Sequence, residues 1–94
     1  MHLGRIIGTV VATRKDEKLV GTKLMITQPL NINLEPKSEP IIAVDTVGAG
    51  IGELILYVTG TASRIGAKKM DAPIDAAIVA IVDHLDIRED IENQ

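Results

Sequence analysis

The sequence predicts an all-β fold, a small five-stranded antiparallel barrel with at most one or two short helical turns. Two observations support this prediction. Five short runs of β-branched and other apolar residues are separated by segments rich in glycine, proline or charge. Many short strands without a long helical repeat are typical of a barrel, in which every strand has one inner and one outer face. The 94 residues suffice for one domain. We place the barrel at residues 1–85 and a C-terminal tail at 86–94.

The first two strands are predicted at residues 3–13 and 23–30, which are rich in Val, Ile, Leu and Thr. Gly4 and Gly8 interrupt the first strand and are expected to mark bends or a close approach of two backbones. Residues 14–18 carry five consecutive charged side chains and are predicted to form a solvated turn.

The remaining strands are predicted at residues 41–45, 53–59 and 77–82. Polar loops are predicted at 31–40, which contains two prolines, and at 60–73, which contains three basic residues.

Two positions permit a short helix. Residues 73–76 begin with proline, which is favoured in the first turn of a helix. In the tail, Ile87 and Ile91 are four residues apart, the spacing that places two side chains on one helix face.

The apolar content indicates an oligomer. Hydrophobic residues make up 46% of the chain, yet Tyr57 is the only aromatic residue, and a chain this short has a thin core of its own. The fifth predicted strand has no polar face. Its outer face therefore needs a cover, which a second subunit would supply.

A glycine-rich segment, residues 45–53, connects the third and fourth strands and contains Gly48, Gly50 and Gly52. We refer to residues 45–53 as the glycine segment. A dinucleotide fingerprint requires G-x-G-x-x-G leading into a helix, whereas this spacing is G-x-G-x-G and a strand follows. A phosphate-binding role is therefore disfavoured. Glycines here would permit positive φ or close backbone packing. The flanking Asp45 and Glu53 either accept hydrogen bonds from nearby N–H groups or face water.

Composition argues against several other functions. The net charge of −3 and the pI of about 5.2 disfavour nucleic-acid binding and polybasic attraction to a membrane, and no apolar run approaches a membrane span. His84 with Asp83 and Asp86 could bind a metal ion, but an isolated surface histidine is the favoured interpretation. Ser38 and Ser63 lack the context of a nucleophile. We therefore predict no catalytic, cofactor-binding or metal-binding residues and no enzymatic activity.

Several motifs resemble one known family. They are VDTVGAGIGELILYVTG at residues 44–60, TASR at 61–64 and APIDAAIVAIVD at 72–83, with GTVVAT at 8–13 and LVGTKL at 19–24. Together they are similar to the EutN/CcmL family of bacterial microcompartment vertex proteins over about residues 1–85. The glycine segment combined with the PxDAA strand is fairly specific, whereas either motif alone is weak.

The resemblance implies an oligonucleotide-binding-like barrel assembled as a cyclic homopentamer. Such a ring would cap the corners of a cytoplasmic microcompartment shell that encloses metabolic enzymes, beside hexameric microcompartment shell proteins. A head-to-tail interface that closes on itself produces a ring. The resemblance also implies that the glycine segment belongs to the intersubunit or axial region; its residues are Asp45, Thr46, Val47, Gly48, Ala49, Gly50, Ile51, Gly52 and Glu53.

The alternative is an oligonucleotide-binding-fold module that binds single-stranded nucleic acid. Such modules combine a basic groove with aromatic side chains on which bases stack. The acidic pI and the single aromatic residue argue against it.

Overall fold

The protein, analysed as a computed structural model that describes residues 1–88, forms a closed five-stranded barrel with one α-helix. The elements are β1 (His2–Val10), a 3-10 turn (Glu17–Leu19), β2 (Lys23–Leu30), β3 (Ile41–Asp45), β4 (Leu54–Thr59), α1 (Thr61–Ala67) and β5 (Ala76–Ile81). The strands are hydrogen-bonded in the order β1-β2-β3-β5-β4, and β4 closes the barrel on β1. The predicted all-β, five-stranded barrel is confirmed.

The strand bounds agree closely with the prediction, but one pairing does not. Strands β2 and β3 begin and end where the sequence predicts, and the other three differ by one to three residues at an end. Strands β3 and β5 run parallel, through the pairs Val44↔Ala77 and Asp45↔Ile78. A wholly antiparallel barrel is therefore the wrong prediction. Parallel neighbours need a long crossover, and here β4 and α1 lie between the two strands in the chain.

The barrel interior is filled by aliphatic side chains and one tyrosine. Buried and less buried residues alternate along β4, as expected for a strand with one face inside. The interior cluster consists of Ile6, Met25, Ala43, Ala49, Ile55, Tyr57, Ala76 and Ile78, all at most 5% exposed. Small and branched aliphatic residues thus supply most of the core that aromatic residues supply in many small domains.

Strand β1 has an irregularity in its pairing with β2. It pairs with β2 along its length and with β4 at its start. The register with β2 shifts between Ile6 and Gly8, so Ile7 has no opposite residue and is 49% exposed. A Cβ at Gly4 would lie only 2.7 Å from Cγ2 of Thr27. The predicted close approach is therefore present at Gly4, and Gly8 lies at the register shift.

The sequence analysis predicts a loop at 60–73, but this stretch contains helix α1. The helix spans Thr61–Ala67, and its N-cap residue Gly60 supplies no side-chain cap. Ser63 is fully buried, with its hydroxyl oxygen within hydrogen-bond distance of the carbonyl oxygens of Gly60 and Ile74. These contacts hold the helix to the chain that leads into β5. The predicted helical turn at 73–76 is absent, since residues 73–75 form no helix and Ala76 already begins β5.

Helix α1 also covers the outer face of β5. A Cβ added at Gly66 would lie 3.0 Å from Cγ1 of Val79 and 3.8 Å from Cγ2 of Val58, so the helix backbone rests directly on both strands. Ala77 is fully buried. The helix therefore supplies part of the cover that the sequence analysis assigned to a second subunit, whereas Ile81 at the end of β5 stays 38% exposed.

A second apolar cluster lies outside the barrel. It consists of Val44, Ala72 and Ile74, with Leu19, Leu24 and Ala67 packed against it. Leu19 ends the 3-10 turn, which overlaps the end of the predicted charged turn. The charged residues 14–18 themselves are exposed, in agreement with the prediction.

The loop at 31–40 is irregular and largely exposed, as predicted. Leu34 in this loop has φ 68°, a left-handed conformation that costs a non-glycine residue roughly 1–2 kcal/mol.

Residues 83–88 contain no helix. Ile91 lies outside the described residues, so the tail helix that pairs it with Ile87 remains a prediction, as does the division of the chain at residue 85. No helix within residues 1–88 has the length and apolar character needed to span a bilayer.

Candidate functional site: the glycine segment

The glycine segment crosses one end of the barrel. It leaves β3 at Asp45 and enters β4 at Leu54, and β5 lies between these two strands in the barrel. Ala49, at the middle of the segment, is 1% exposed and belongs to the interior cluster. The segment therefore caps the barrel end with a side chain that points inward.

The carboxylate of Asp45 fixes the start of the segment. Its Oδ1 atom accepts hydrogen bonds from the backbone N–H groups of Val47 at 3.0 Å and Gly48 at 3.1 Å. The side chain is 1% exposed, and Nζ of Lys23 lies 3.7 Å from Oδ2. Because an aspartate side chain readily bonds to N–H groups two and three residues later, this arrangement stabilises a tight turn.

Thr46 joins the segment to β5. Its backbone N–H and its hydroxyl both donate to the carbonyl oxygen of Ile78, at 3.3 and 2.6 Å. Ile78 is fully buried in the barrel interior. The turn is thus attached to a strand that is buried on its inner face.

The end of the segment is bound to β1. The N–H of Gly52 donates to the carbonyl oxygen of Ile6 at 2.7 Å, and the N–H of Ile6 donates to the carbonyl oxygen of Glu53 at 3.1 Å. The Arg5 guanidinium donates from Nη1 to the carbonyl oxygen of Gly52 at 3.0 Å. The Glu53 carboxylate accepts a hydrogen bond from the N–H of Gly50. The sequence left open whether Asp45 and Glu53 bond to N–H groups or face water, and both bond to N–H groups.

Two of the three glycines are required by backbone conformation. Gly48 has φ 77° and Gly52 has φ 92°, and a Cβ at either position would meet no heavy atom within 4 Å of it. Glycine adopts these angles without the penalty that a side chain brings. Gly50 does not have positive φ, and a Cβ there would lie 3.3 Å from Oε1 of Glu53. Within one chain, conformation rather than crowding therefore explains Gly48 and Gly52.

The outer surface of the segment is apolar. Val47 is 39% exposed and Ile51 is 67% exposed, on either side of the buried Ala49. Both ends of the segment are held by hydrogen bonds, so these two side chains occupy defined positions. A rigid loop that displays apolar side chains is suited to packing against another protein surface.

The other residues considered as chemical candidates form no site of their own within residues 1–88. Nε2 of His84 lies 3.5 Å from Oδ2 of Asp86, and both side chains are largely exposed. Ser63 is buried beneath α1, and the carbonyl oxygen of Ser38 accepts a hydrogen bond from Gln28. In residues 1–88, no group of three or more His, Cys, Asp or Glu residues is arranged to hold a metal ion.

The sequence identified the glycine segment but not all of the residues that hydrogen-bond to it. Arg5 and Ile6 are more than 40 residues away in the chain, and no local pattern indicates that they bind Gly52 and Glu53. A charged residue inside an apolar strand is the one signal that could have drawn attention to Arg5.

Comparison with known proteins gives whole-chain matches. A family model described as "Ethanolamine utilisation protein EutN/carboxysome" matches residues 1–83. The chain is 47% identical over 83 residues to the bacterial microcompartment shell vertex protein GrpN of Rhodospirillum rubrum (strain F11), covering 88% of this chain and 93% of that relative. It is 42% identical over 89 residues to the shell vertex protein PduN of Salmonella typhimurium, covering 90% of this chain and 98% of that relative.

A solved structure agrees with these matches. The pentameric microcompartment shell protein GrpN from Rhodospirillum rubrum superimposes with a TM-score of 0.85 at 43% identity, over 94% of this chain and 100% of that chain.

Proposed function

Because this chain belongs to the EutN/CcmL family, we propose that it is a structural subunit that closes with four identical copies into a ring and caps a vertex of a bacterial microcompartment shell. The family consists of structural shell proteins and not of enzymes. The observation that carries the proposal is the likeness to a pentameric shell protein along almost the whole chain.

A pentamer has a defined geometric role in such a shell. A flat hexagonal lattice cannot close without pentagons, so rings of five are needed at its corners. The expected neighbours of the ring are hexameric microcompartment shell proteins. A cyclic pentamer uses a heterologous interface, in which two different surfaces of each copy meet.

The glycine segment is proposed as part of the intersubunit or axial region of the ring. Its hydrogen bonds to β1 and β5 support this role, because a contact surface that is already ordered loses little entropy when it binds. The exposed side chains of Val47 and Ile51 supply apolar surface. The open space beside Gly48 and Gly52 leaves their backbone accessible to a neighbouring copy.

The barrel and the tail have different proposed roles. We assign residues 1–85 to the barrel domain and residues 86–94 to a C-terminal tail. The last barrel strand, β5, ends at Ile81. One further hydrogen bond, from the N–H of Val82 to the carbonyl oxygen of Leu54 at 2.8 Å, continues its pairing with β4. The proposed division therefore lies shortly after the end of the barrel strands.

Binding of single-stranded nucleic acid is not favoured. Tyr57, the only aromatic residue, is 5% exposed and belongs to the interior cluster, where no base can stack on it. The net charge of −3 would repel a phosphate backbone.

Light scattering coupled to size-exclusion chromatography tests the assembly directly. We expect a mass about five times that of the 10.1 kDa chain. A monomer or dimer at micromolar concentration would contradict the proposal. Co-expression with hexameric shell proteins tests the vertex role: closed shells should form only when this chain is present, and equally closed shells without it would count against that role.

A further inference from the structure

An apolar groove lies beside the glycine segment and has a volume of about 750 Å³. Its walls come from the loop after β2, the start of β4, the end of β5 and the stretch that follows β5, together with Arg5 of β1. Seven apolar residues line it, and polar side chains including Asp83 and His84 lie at its walls; the apolar residues are Ile32, Leu34, Leu54, Ile81, Val82, Leu85 and Ile87. Four of these, Ile32, Leu34, Ile81 and Ile87, are between 38% and 60% exposed. Apolar surface that is gathered in one groove on a small protein indicates a binding surface.

The position of Leu34 in this groove is unusual. The N–H of Leu34 donates to the carbonyl oxygen of Asn31 at 2.9 Å, and the N–H of Asn31 donates to the carbonyl oxygen of Glu35 at 2.9 Å. The side chain of Asn31 also accepts a hydrogen bond from the N–H of Glu35 at 3.0 Å. These bonds hold Leu34 in a left-handed conformation that glycine would adopt without strain.

The stability of a single chain therefore does not explain a leucine at this position. The leucine carries a conformational cost, it is 39% exposed, and it belongs to neither buried apolar cluster. Strained residues persist where the surrounding structure or a function requires them. Burial of this side chain by a partner molecule would explain why a leucine occupies the position.

The groove is continuous with the glycine segment. Arg5 and Glu53 line it, and the same two side chains bind Gly52 and Gly50 of the segment. A neighbour that packs on Val47 and Ile51 would thus lie close to the groove.

We propose that the groove is half of the heterologous ring contact and receives an apolar surface of the adjacent copy, with Leu34 as a principal contact. This inference rests on the proposed ring function. Residues 89–94 of the same chain are a poor match for the groove, because they contain three acidic residues and only one apolar side chain. A second copy of the chain is the better match, since GrpN, which it resembles along its whole length, is pentameric.

The first test uses Leu34→Gly, which removes the side chain and also relieves the backbone. Sedimentation velocity over a dilution series should show at least a tenfold rise in the concentration at which the ring dissociates. Thermal unfolding of the dissociated chain should be unchanged or shifted to higher temperature. An unchanged dissociation concentration would overturn the proposal.

Ile87→Asp introduces a charge on the opposite wall of the groove, and Val11→Asp is its matched control. Val11 is 90% exposed and lies outside the groove. We expect Ile87→Asp to lose the ring and Val11→Asp to keep it. Retention of the ring by Ile87→Asp, or equal loss in both variants, would show that the groove is not the contact.

A chain that ends at Arg88 separates the two occupants. If the neighbour fills the groove, this truncated chain still forms the ring. Loss of the ring would show that residues 89–94 are needed for the contact between copies and would overturn the proposal. The wild-type mass keeps the two ideas distinguishable: a wild-type chain that forms no ring refutes the proposed function, whereas a ring that is indifferent to Leu34 and Ile87 refutes only the groove.

Discussion

Lys23 and Asp45 face each other across β2 and β3, and the lysine Nζ lies 3.7 Å from a buried carboxylate oxygen that has no hydrogen bond. The other oxygen of the same carboxylate holds the first turn of the glycine segment. The lysine side chain is 61% exposed, so it supplies a charge to the carboxylate from the solvent side. The barrel wall and the segment are thus connected through one side chain.

Substitution of Asp45 tests this connection. Asp45→Ala leaves the N–H groups of Val47 and Gly48 without their acceptor and should lower the free energy of unfolding by about 1–3 kcal/mol. Asp45→Asn keeps an oxygen in the accepting position and should cost less. Urea denaturation at a fixed chain concentration measures both values, and an alanine variant as stable as the asparagine variant would contradict this account.

The two glycines with positive φ should not tolerate branched side chains. Gly48→Val and Gly52→Val should each lower the free energy of unfolding by about 1–3 kcal/mol, because valine is strained at φ 77° and 92°. Gly50→Ala is the control, since Gly50 lacks positive φ. If Gly48→Val and Gly52→Val are both as stable as the wild type with the ring intact, our explanation of the segment is wrong.

Packing of α1 on the barrel depends on the absence of a side chain at Gly66. Gly66→Leu would force the helix away from Val79 and Val58, and we expect a loss of about 1–3 kcal/mol in the free energy of unfolding. Ile65→Ala on the 61% exposed neighbour should change this value by less than about 0.5 kcal/mol. Thermal unfolding followed by circular dichroism gives both results, and equal effects would show that the helix packs differently.

Tyr57 should make the protein less stable in alkaline solution. Burial raises the pKa of the Tyr57 hydroxyl above its ordinary value. The unfolded chain therefore ionises first, and the contribution of this group is fully present below about pH 10 and is lost as the pH rises above it. The difference in unfolding free energy between the wild type and Tyr57→Phe should change between about pH 9 and 11 in favour of the variant. A difference that stays constant over this range would refute the prediction.

The sequence predicted the strands well because their signals are local. Alternation and β-branched residues located Lys23–Leu30 and Ile41–Asp45 with their observed bounds. Helix α1 escaped prediction because Gly60 offers no side-chain cap and Gly66 has a low helix propensity, so its stability comes from packing on Val58 and Val79. Packing between distant segments leaves no local pattern.

The same distinction applies to the site. The spacing of Gly48, Gly50 and Gly52 identified the segment, and the strand predicted to follow it is observed as β4. The bond from Arg5 to Gly52 and the left-handed conformation of Leu34 depend on tertiary structure. Neither could be inferred from residue type and spacing.

The inward position of Ala49 has a consequence for permeability. The barrel interior is packed with aliphatic side chains, and Ala49 closes one end of it. No solute can therefore travel through the middle of a subunit. In a ring of these subunits, any passage for small molecules would have to run along the shared axis between copies. If the glycine segments line that axis, the passage would be bordered by backbone and by the exposed apolar side chains of Val47 and Ile51.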